Sequence, residues 1–357
     1  MSKSDLESRL PKVGIAADFD DTVSTEMQWK PLLEDHFDAI KKQYDRIVVH
    51  VRQEDGSVKR VRISIKEPLD WFKLCNAWGV AHNGVGYLQQ FLWDVRDGVF
   101  PNITREYLKG IGARVKLAPG IPGFFTQMRE EWADRAAVSS YVISVGSREI
   151  IEGSPVANEV DDIFASEVSS SGQIFGRKNH AFDGLREIIS PFLKSKPLIR
   201  ITKGEGRHVD DRVQHQDYKL PQQNVIYMGD GLSDIPISAY AGKKGALVIC
   251  VYPQGNLAAY HEALNNKRIT DRVHWLVPRD YTKGSPLWNI VSARIERIAS
   301  DERCAEFDPL SLDSYQKGNL RPAWAEEIKS HLPACRDCSN SLRFQSVFQS
   351  DVPRKVA

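Results

Sequence analysis

Several features are scarce in this 357-residue sequence, and each scarcity excludes a class of protein. The five cysteines lie at positions 75, 250, 304, 335 and 338, too scattered for a disulfide framework. No apolar run reaches the roughly 18 residues that a membrane-spanning helix needs. The first residues, MSKSDLESRLPK, contain no apolar signal core. We therefore expect a cytoplasmic protein that does not bind a membrane.

The sequence also has no excess of positive or negative charge. The 48 basic and 47 acidic residues leave a net charge of +1, so the balance does not favour a nucleic-acid partner. The basic run Lys59–Arg62 is flanked by acidic residues, and we interpret it as a solvated strand face. His331, Cys335 and Cys338 supply three possible zinc ligands where a structural site takes four, so we prefer free surface thiols.

What the sequence does contain is a set of short apolar runs that end in polar residues. Runs that are apolar on both faces and are separated by helical segments predict central strands of a parallel sheet. Ligands of such sheets bind beyond the carboxyl ends of the strands, where these polar residues fall. The four runs are Val13–Ala17, Val138–Ile143, Val225–Met228 and Ala246–Tyr252.

A long segment separates the first predicted strand from the others. Apolar stripes predict helices from Pro31 to Tyr44 and from Val85 to Val95, and Glu54-Asp55-Gly56 predicts a hairpin between them. A segment this long is an inserted domain rather than a loop. The fold class is thus α/β: a Rossmann-like parallel sheet with a mostly helical insert that carries a β-hairpin. We expect a core at 12–24 and 116–280, the insert at 25–115, and a C-terminal extension at 281–357.

The first candidate site is Asp18-Phe19-Asp20-Asp21-Thr22, directly after the first strand. A carboxylate at the end of a buried strand is costly unless it faces a metal ion or hydrogen-bond donors. Two carboxylates two residues apart can diverge, one attacking as a nucleophile while the other delivers a proton. The plain alternative is an acidic turn.

Three further segments carry candidate residues. Gly229-Asp230-Gly231-Leu232-Ser233-Asp234 offers carboxylate oxygens suited to Mg²⁺, although Gly-Asp-Gly is also ordinary turn chemistry. Ser144 ends a strand and could hydrogen-bond a phosphoryl oxygen. Lys203 could neutralise both a nucleophile and a transferring phosphoryl group. A strand-terminal serine or a lone lysine is otherwise structural.

In this order, the four segments resemble those of the haloacid dehalogenase-like (HAD) hydrolase superfamily. The matching residues are Asp18-Phe-Asp20-Asp-Thr22, Ile143-Ser144, Lys203-Gly204 and Gly229-Asp230-Gly-Leu-Ser-Asp234. The phosphoserine-phosphatase-like branch is the most similar, through Val142-Ile-Ser-Val-Gly146 and Leu117-Ala-Pro-Gly-Ile121. The insert stands where that branch carries its cap.

The resemblance implies a magnesium-dependent phosphatase. Asp18 would be the nucleophile that forms an aspartyl-phosphate, and Asp20 the general acid and then base. Ser144 and Lys203 would bind the phosphoryl oxygens, and Thr22 would orient the loop at the phosphate. The metal site would consist of Asp18, the backbone carbonyl of Asp20, Asp230 and Asp234.

The substrate implied is a small phosphorylated metabolite, because the insert would act as a lid that selects the leaving group. Three alternatives stay open. They are a phosphotransferase that uses the same intermediate, a phosphatase of nucleic-acid or protein phosphates, and a non-catalytic binding platform. Asp20 argues against a dehalogenase, since ester hydrolysis needs an acid at that position.

Overall fold

The computed structural model describes residues 10–300 except 53–56, 78–85, 170–181, 205 and 215–216. Beyond residue 300 it describes positions 312, 315, 316, 318, 325, 326, 328, 329 and 332. The predicted hairpin turn at 54–56 and the thiols Cys335 and Cys338 lie outside these residues. No helix of the described part is long and apolar enough to cross a membrane.

A seven-stranded sheet forms the centre of the molecule. Its strands are β1 (Lys12–Ala17), β4 (Ala137–Ser147), β5 (Asp162–Ser169), β6 (Gly184–Glu187), β7 (Val225–Gly229), β8 (Leu247–Tyr252) and β9 (Trp275–Pro278). They lie in the order β6-β5-β4-β1-β7-β8-β9, and all neighbours are parallel except the β5–β6 pair. The four predicted central strands are confirmed as β1, β4, β7 and β8.

Helices cover both faces of the sheet. They are α1 (Lys30–Asp35), α2 (Phe37–Tyr44), α3 (Phe72–Ala77), α4 (Gly86–Arg96), α5 (Arg105–Gly112), α6 (Phe124–Trp132), α7 (Arg148–Gly153), α8 (Ser195–Lys203), α9 (Ile235–Lys243), α10 (Leu257–Asn265), α11 (Lys267–Thr270) and α12 (Pro286–Ala299). The single helix predicted from Pro31 to Tyr44 is two helices, which meet at His36.

The inserted segment leaves and rejoins the sheet region at one point. Ser24 bridges Leu117, and the amide of Thr25 donates to the carbonyl of Lys116 at 2.8 Å. Between these crossings lie α1–α5 and an antiparallel hairpin of β2 (Val48–Arg52) and β3 (Val58–Arg62). The predicted α/β fold, with a mostly parallel sheet and a mostly helical insert that carries a hairpin, is confirmed.

The apolar core is continuous between the insert and the sheet. One large cluster includes Trp29 and Phe91 from the insert together with Val142 and Ile226 from the central strands. Helix α12 also contributes buried residues to this cluster, although it lies within the segment assigned to the C-terminal extension. A second, smaller cluster on the opposite face of the sheet lies beneath α8 and α9. The insert is therefore packed onto the sheet.

Candidate active site

The carboxyl ends of β1, β4 and β7 bring the candidate residues to one edge of the sheet. Asp18 directly follows β1 and Asp230 directly follows β7, its neighbour. The amide of Asp18 donates to the carbonyl of Met228 at 2.9 Å, which continues the β1–β7 pairing into the site. Ser144 lies in β4, on the other side of β1. The sheet therefore brings these side chains together at its carboxyl edge, as the sequence predicts.

Both carboxylate oxygens of Asp18 are held by donors. Its Oδ1 accepts a hydrogen bond from the amide of Phe19 at 2.8 Å, and its Oδ2 lies 2.8 Å from the Nζ of Lys194. The same ammonium lies 2.6 Å from the Oδ1 of Asp234. Asp18 and Lys194 are almost fully buried. The orientation of the Asp18 carboxylate is therefore fixed before any substrate arrives.

Asp18, Asp230 and Asp234 form a compact cluster of oxygen atoms. Each offers one carboxylate oxygen, and these atoms all lie within 4.8 Å of one another. The phenol of Tyr227 donates to Asp234 at 2.6 Å and so fixes its direction. Glycine is required at 229, because a Cβ there would lie 2.3 Å from the Oδ2 of Asp234.

The charge of this cluster suits a divalent cation. One ammonium faces three carboxylates, which leaves two negative charges when all three acids are ionised. Buried charge of that size is unfavourable without a counterion. Carboxylate oxygens are the ligands that Mg²⁺ prefers. The donor set therefore fits magnesium.

The pKa values of Asp18, Asp230 and Lys194 reflect the burial and the excess of negative charge in this cluster. Burial raises the pKa of Asp18 to about 7, because desolvation outweighs the opposing effect of Lys194. Burial, and next the charge of Asp234, raise the pKa of Asp230 well above its usual range. Burial lowers the pKa of Lys194, but Asp18 and Asp234 more than offset this, so the net shift is upward. The lysine stays charged, while a further cation would favour the ionised forms of Asp18 and Asp230.

Gln28 donates hydrogen bonds to both carboxylate oxygens of Asp20. Gln28 is not among the site residues that the sequence predicts. The amide N of Gln28 donates to the Oδ1 of Asp20 at 2.6 Å, and its side-chain Nε2 donates to Oδ2 at 3.1 Å. The side-chain carbonyl of Gln28 accepts from the amide of Ser147 at 2.8 Å. Burial raises the pKa of Asp20 to about 6, although the bonds to Gln28 oppose the shift. A carboxyl group that titrates near pH 6 is suited to proton transfer near neutrality.

Ser144 and Thr22 are buried at the same edge. The Oγ of Ser144 accepts from the amide of Gly146 at 3.0 Å. The Oγ1 of Thr22 is fully buried and has no hydrogen-bond partner among the described residues. Their positions agree with the predicted phosphate-binding region, and their contact with phosphate stays a prediction.

The prediction that Lys203 lies at the phosphoryl site is wrong. Its ammonium donates to the carbonyls of Val209 and Asp211, at 2.6 and 2.5 Å. The reason is the direction of α8, which begins at the carboxyl edge of the sheet and runs away from it. Lys194 precedes this helix and Lys203 ends it, so the two lie about 13 Å apart along the axis at 1.5 Å per residue. Lys194, and not Lys203, is the lysine that lies beside Asp18.

A comparison with known proteins gives distant likenesses. No family model matches the chain. It is 26% identical over 245 residues to an uncharacterized protein of Borreliella burgdorferi, a match that covers 64% of this chain and 84% of the relative.

Among solved structures, the chain is similar to a HAD family hydrolase from Salmonella enterica serovar Typhi, with 16% identity and a TM-score of 0.41. That match covers 76% of this chain and 69% of the hydrolase. It is also similar to a phosphoserine phosphatase solved as a phospho-aspartyl intermediate analogue, with 14% identity and a TM-score of 0.43. That match covers 79% of this chain and 99% of the phosphatase.

Proposed function

We propose that this protein is a magnesium-dependent phosphohydrolase that cleaves small phosphomonoesters through an aspartyl-phosphate on Asp18. The observation that carries the proposal is the buried Asp18 carboxylate, held by Lys194 beside Asp230 and Asp234. This combination supplies an oriented nucleophile, a fixed positive charge and a metal-ligating set within one cluster.

The proposed reaction has two steps. An oxygen of Asp18 attacks phosphorus as the bond to the leaving oxygen breaks, and Asp20 gives its proton to that oxygen. Water then attacks phosphorus, Asp20 takes a proton from the water, and the bond between phosphorus and Asp18 breaks. Lys194 stabilises the charge on Asp18 and on the transferring group, and Ser144 and Thr22 lie where they can bind phosphoryl oxygens.

Magnesium would be held by Asp18, Asp230 and Asp234, with the backbone carbonyl of Asp20 as a further ligand. When bound, it would offset the negative charge that otherwise repels a phosphate from a carboxylate. Lys203 has no part in this proposal, because its amine is engaged by backbone carbonyls.

The insert at 25–115 is proposed to enclose the leaving group. Two of its residues reach the site: Gln28 contacts Asp20, and the phenol of Tyr87 donates to the carbonyl of Val145 at 2.6 Å. An insert that contacts the catalytic loop and the Ser144 region is placed to close over a small substrate and to exclude water from it. A small phosphorylated metabolite is therefore the proposed substrate.

The proposal is tested with Asp18→Asn. The amide cannot attack phosphorus, so phosphate release from an aryl phosphate and from a panel of phosphorylated metabolites should vanish. Asp38→Asn, on the exposed surface of α2, is the matched control and should behave as wild type. Unchanged turnover in Asp18→Asn, or full wild-type activity in the presence of a chelator, would contradict the proposal.

A further inference from the structure

A segment from the far edge of the sheet reaches back to the catalytic loop. Strand β9 is the last strand, separated from β1 by β7 and β8. The residues after it, Arg279–Tyr281, turn back across the carboxyl edge. The amide of Arg279 donates to the carbonyl of Tyr252 at 2.7 Å, and the amide of Tyr281 donates to that of Pro119 at 2.8 Å. We name this segment the 279–281 brace.

The brace holds backbone carbonyls of the loop that follows Asp18. The Nη1 of Arg279 donates to the carbonyl of Asp21 at 2.6 Å and lies 3.2 Å from the Oδ1 of the same residue. Its Nη2 donates more weakly to the carbonyl of Thr25, at 3.5 Å. The phenol of Tyr281 donates to the carbonyl of Thr22 at 3.2 Å.

The brace is itself buried and closely packed. Arg279 is 6% exposed and Tyr281 is fully buried. The ring of Tyr281 packs edge-on against Phe124 at 5.0 Å. A Cβ at Gly120 would lie 2.3 Å from the backbone of Tyr281, so the two chain segments are in close contact. Such a support can impose a conformation on the loop that it holds.

The loop that follows Asp18 contains a residue in an unfavourable backbone conformation, which its surroundings must stabilise. Asp21 has φ 53° and ψ 9°, in the left-handed region that non-glycine residues rarely adopt. Asp21 directly follows Asp20, so its backbone angles set how the chain continues from the proposed general acid. The guanidinium binds both the carbonyl and the carboxylate of Asp21, and both contacts depend on this turn.

We propose that Arg279 is a positioning residue for the proton transfer by Asp20. By holding Asp21 in the left-handed turn, Arg279 keeps the Asp20 carboxyl group aimed at the leaving oxygen. Gln28 holds the carboxylate of Asp20 from the insert, and Arg279 holds the backbone of the next residue, Asp21. This inference rests on the proposed function and assigns a role to a residue about 260 positions away in sequence.

The test is a series of phosphate monoesters whose leaving alcohols differ in pKa, with alcohol release measured in the first turnover. A well-aimed Asp20 protonates the leaving oxygen, so the wild-type rate should depend only weakly on leaving-group pKa. Arg279→Met should slow alkyl esters at least about tenfold and a nitrophenyl ester less than about threefold, because nitrophenolate leaves without a proton. The slope against leaving-group pKa should steepen in the same direction as in Asp20→Asn.

Two further variants complete the design. Lys283→Met is the control, since Lys283 lies close by in the chain but forms an exposed ion pair with Glu131 at 2.8 Å. If Arg279→Met does not fold, Arg279→Lys is used instead. Lysine keeps the positive charge and one donor nitrogen but lacks the second guanidinium nitrogen. Its slope should lie between those of wild type and Asp20→Asn.

A purely structural role of Arg279 would lower the rates of all esters equally and leave the slope unchanged, and that result would overturn the inference. An unchanged rate for every ester would overturn it as well. Failure of the proposed function looks different, since Asp18→Asn would then keep its activity. A steepened slope in Asp20→Asn but not in the Arg279 variants would refute only the positioning role.

Discussion

Lys194 balances the charge at the centre of the site. Its ammonium contacts two of the three clustered carboxylates, and it is almost fully buried. An ammonium in such a place is stable only because these acids surround it, and the acids depend on it equally. Removing it would leave Asp18 without its strongest electrostatic partner.

Lys194→Met should therefore lower kcat on an aryl phosphate by at least about 100-fold, the scale of losing one donor to a developing charge. Lys203→Met should keep most of that kcat. It should instead destabilise the fold by about 1–3 kcal/mol, because the carbonyls of Val209 and Asp211 lose a buried donor. Steady-state kinetics and thermal unfolding of both variants separate the two effects. Loss of kcat in Lys203→Met with normal kcat in Lys194→Met would contradict the assignment.

Local sequence signals predict the acids of the site, whereas its lysine follows only from the topology. Asp18, Asp230 and Asp234 directly follow or closely flank apolar strands, which is a local signal. The resemblance to the HAD superfamily gave the role to Lys203, which ends an amphipathic helix that precedes a strand. Such a helix starts at the carboxyl edge, so the lysine at its start is the better choice on topology alone. Gln28 and Arg279 carry no local signal, since only the fold brings them to the loop.

Helix α5 shows at the element scale how the insert is anchored. It packs against α7, and the two backbones are in contact at their glycines. A Cβ at Gly112 would lie 1.9 Å from the carbonyl oxygen of Ile150, and one at Gly153 would lie 1.9 Å from that of Lys109. Arg105 of α5 also lies 3.3 Å from the buried carboxylate of Glu149. The end of the insert is therefore fixed to the helix that follows Ser144.

Gly112→Ala should consequently destabilise the protein by about 1–3 kcal/mol, as overpacking against a backbone atom does. Gly110 is the matched control in the same helix, since no atom lies within 4 Å of a Cβ there. Gly110→Ala should be neutral or stabilising by up to about 1 kcal/mol, because alanine favours helix. Urea unfolding measures both changes. Equal stabilities of the two variants would show that α5 is not held against α7.

Strand prediction succeeded for four adjacent strands in the middle of the sheet. All residues of β7 are buried, and its sequence is correspondingly apolar. Strand β5 alternates buried and partly exposed residues, and its sequence has no continuous apolar run. Strand β9 is a four-residue edge strand in which only Val277 is buried. The break between α1 and α2 at His36 was missed because the apolar stripe continues across it.

At the scale of the whole molecule, magnesium should couple to both stability and pH. The folded pKa of Asp18 is about 7, against 3.8 for the free side chain, and that of Asp230 is also raised. The folded state therefore binds these protons more tightly than the unfolded state. The stability that the protonated acids contribute is complete below about pH 4 and is lost as the pH rises through 7.

Magnesium should offset this loss, because it binds the ionised carboxylates. The increase in Tm on replacing chelator with magnesium should thus be larger at about pH 8 than at about pH 5.5. Asp230→Asn should reduce the increase at the higher pH. Thermal unfolding across this range measures the effect. A magnesium shift that is independent of pH, or larger in acid, would argue against these carboxylates as the metal site.

The central claim is that Asp18 carries the phosphoryl group during turnover. The most direct measurement is an acid quench of the protein during reaction with a phosphorus-labelled aryl phosphate and magnesium, followed by peptide mapping. Asp20→Asn should make the intermediate accumulate, because it slows the attack of water more than the loss of a good leaving group. We expect label on the peptide that contains Asp18 and none in Asp18→Asn. Phosphate release by wild type with no label on that peptide in either wild type or Asp20→Asn would contradict it.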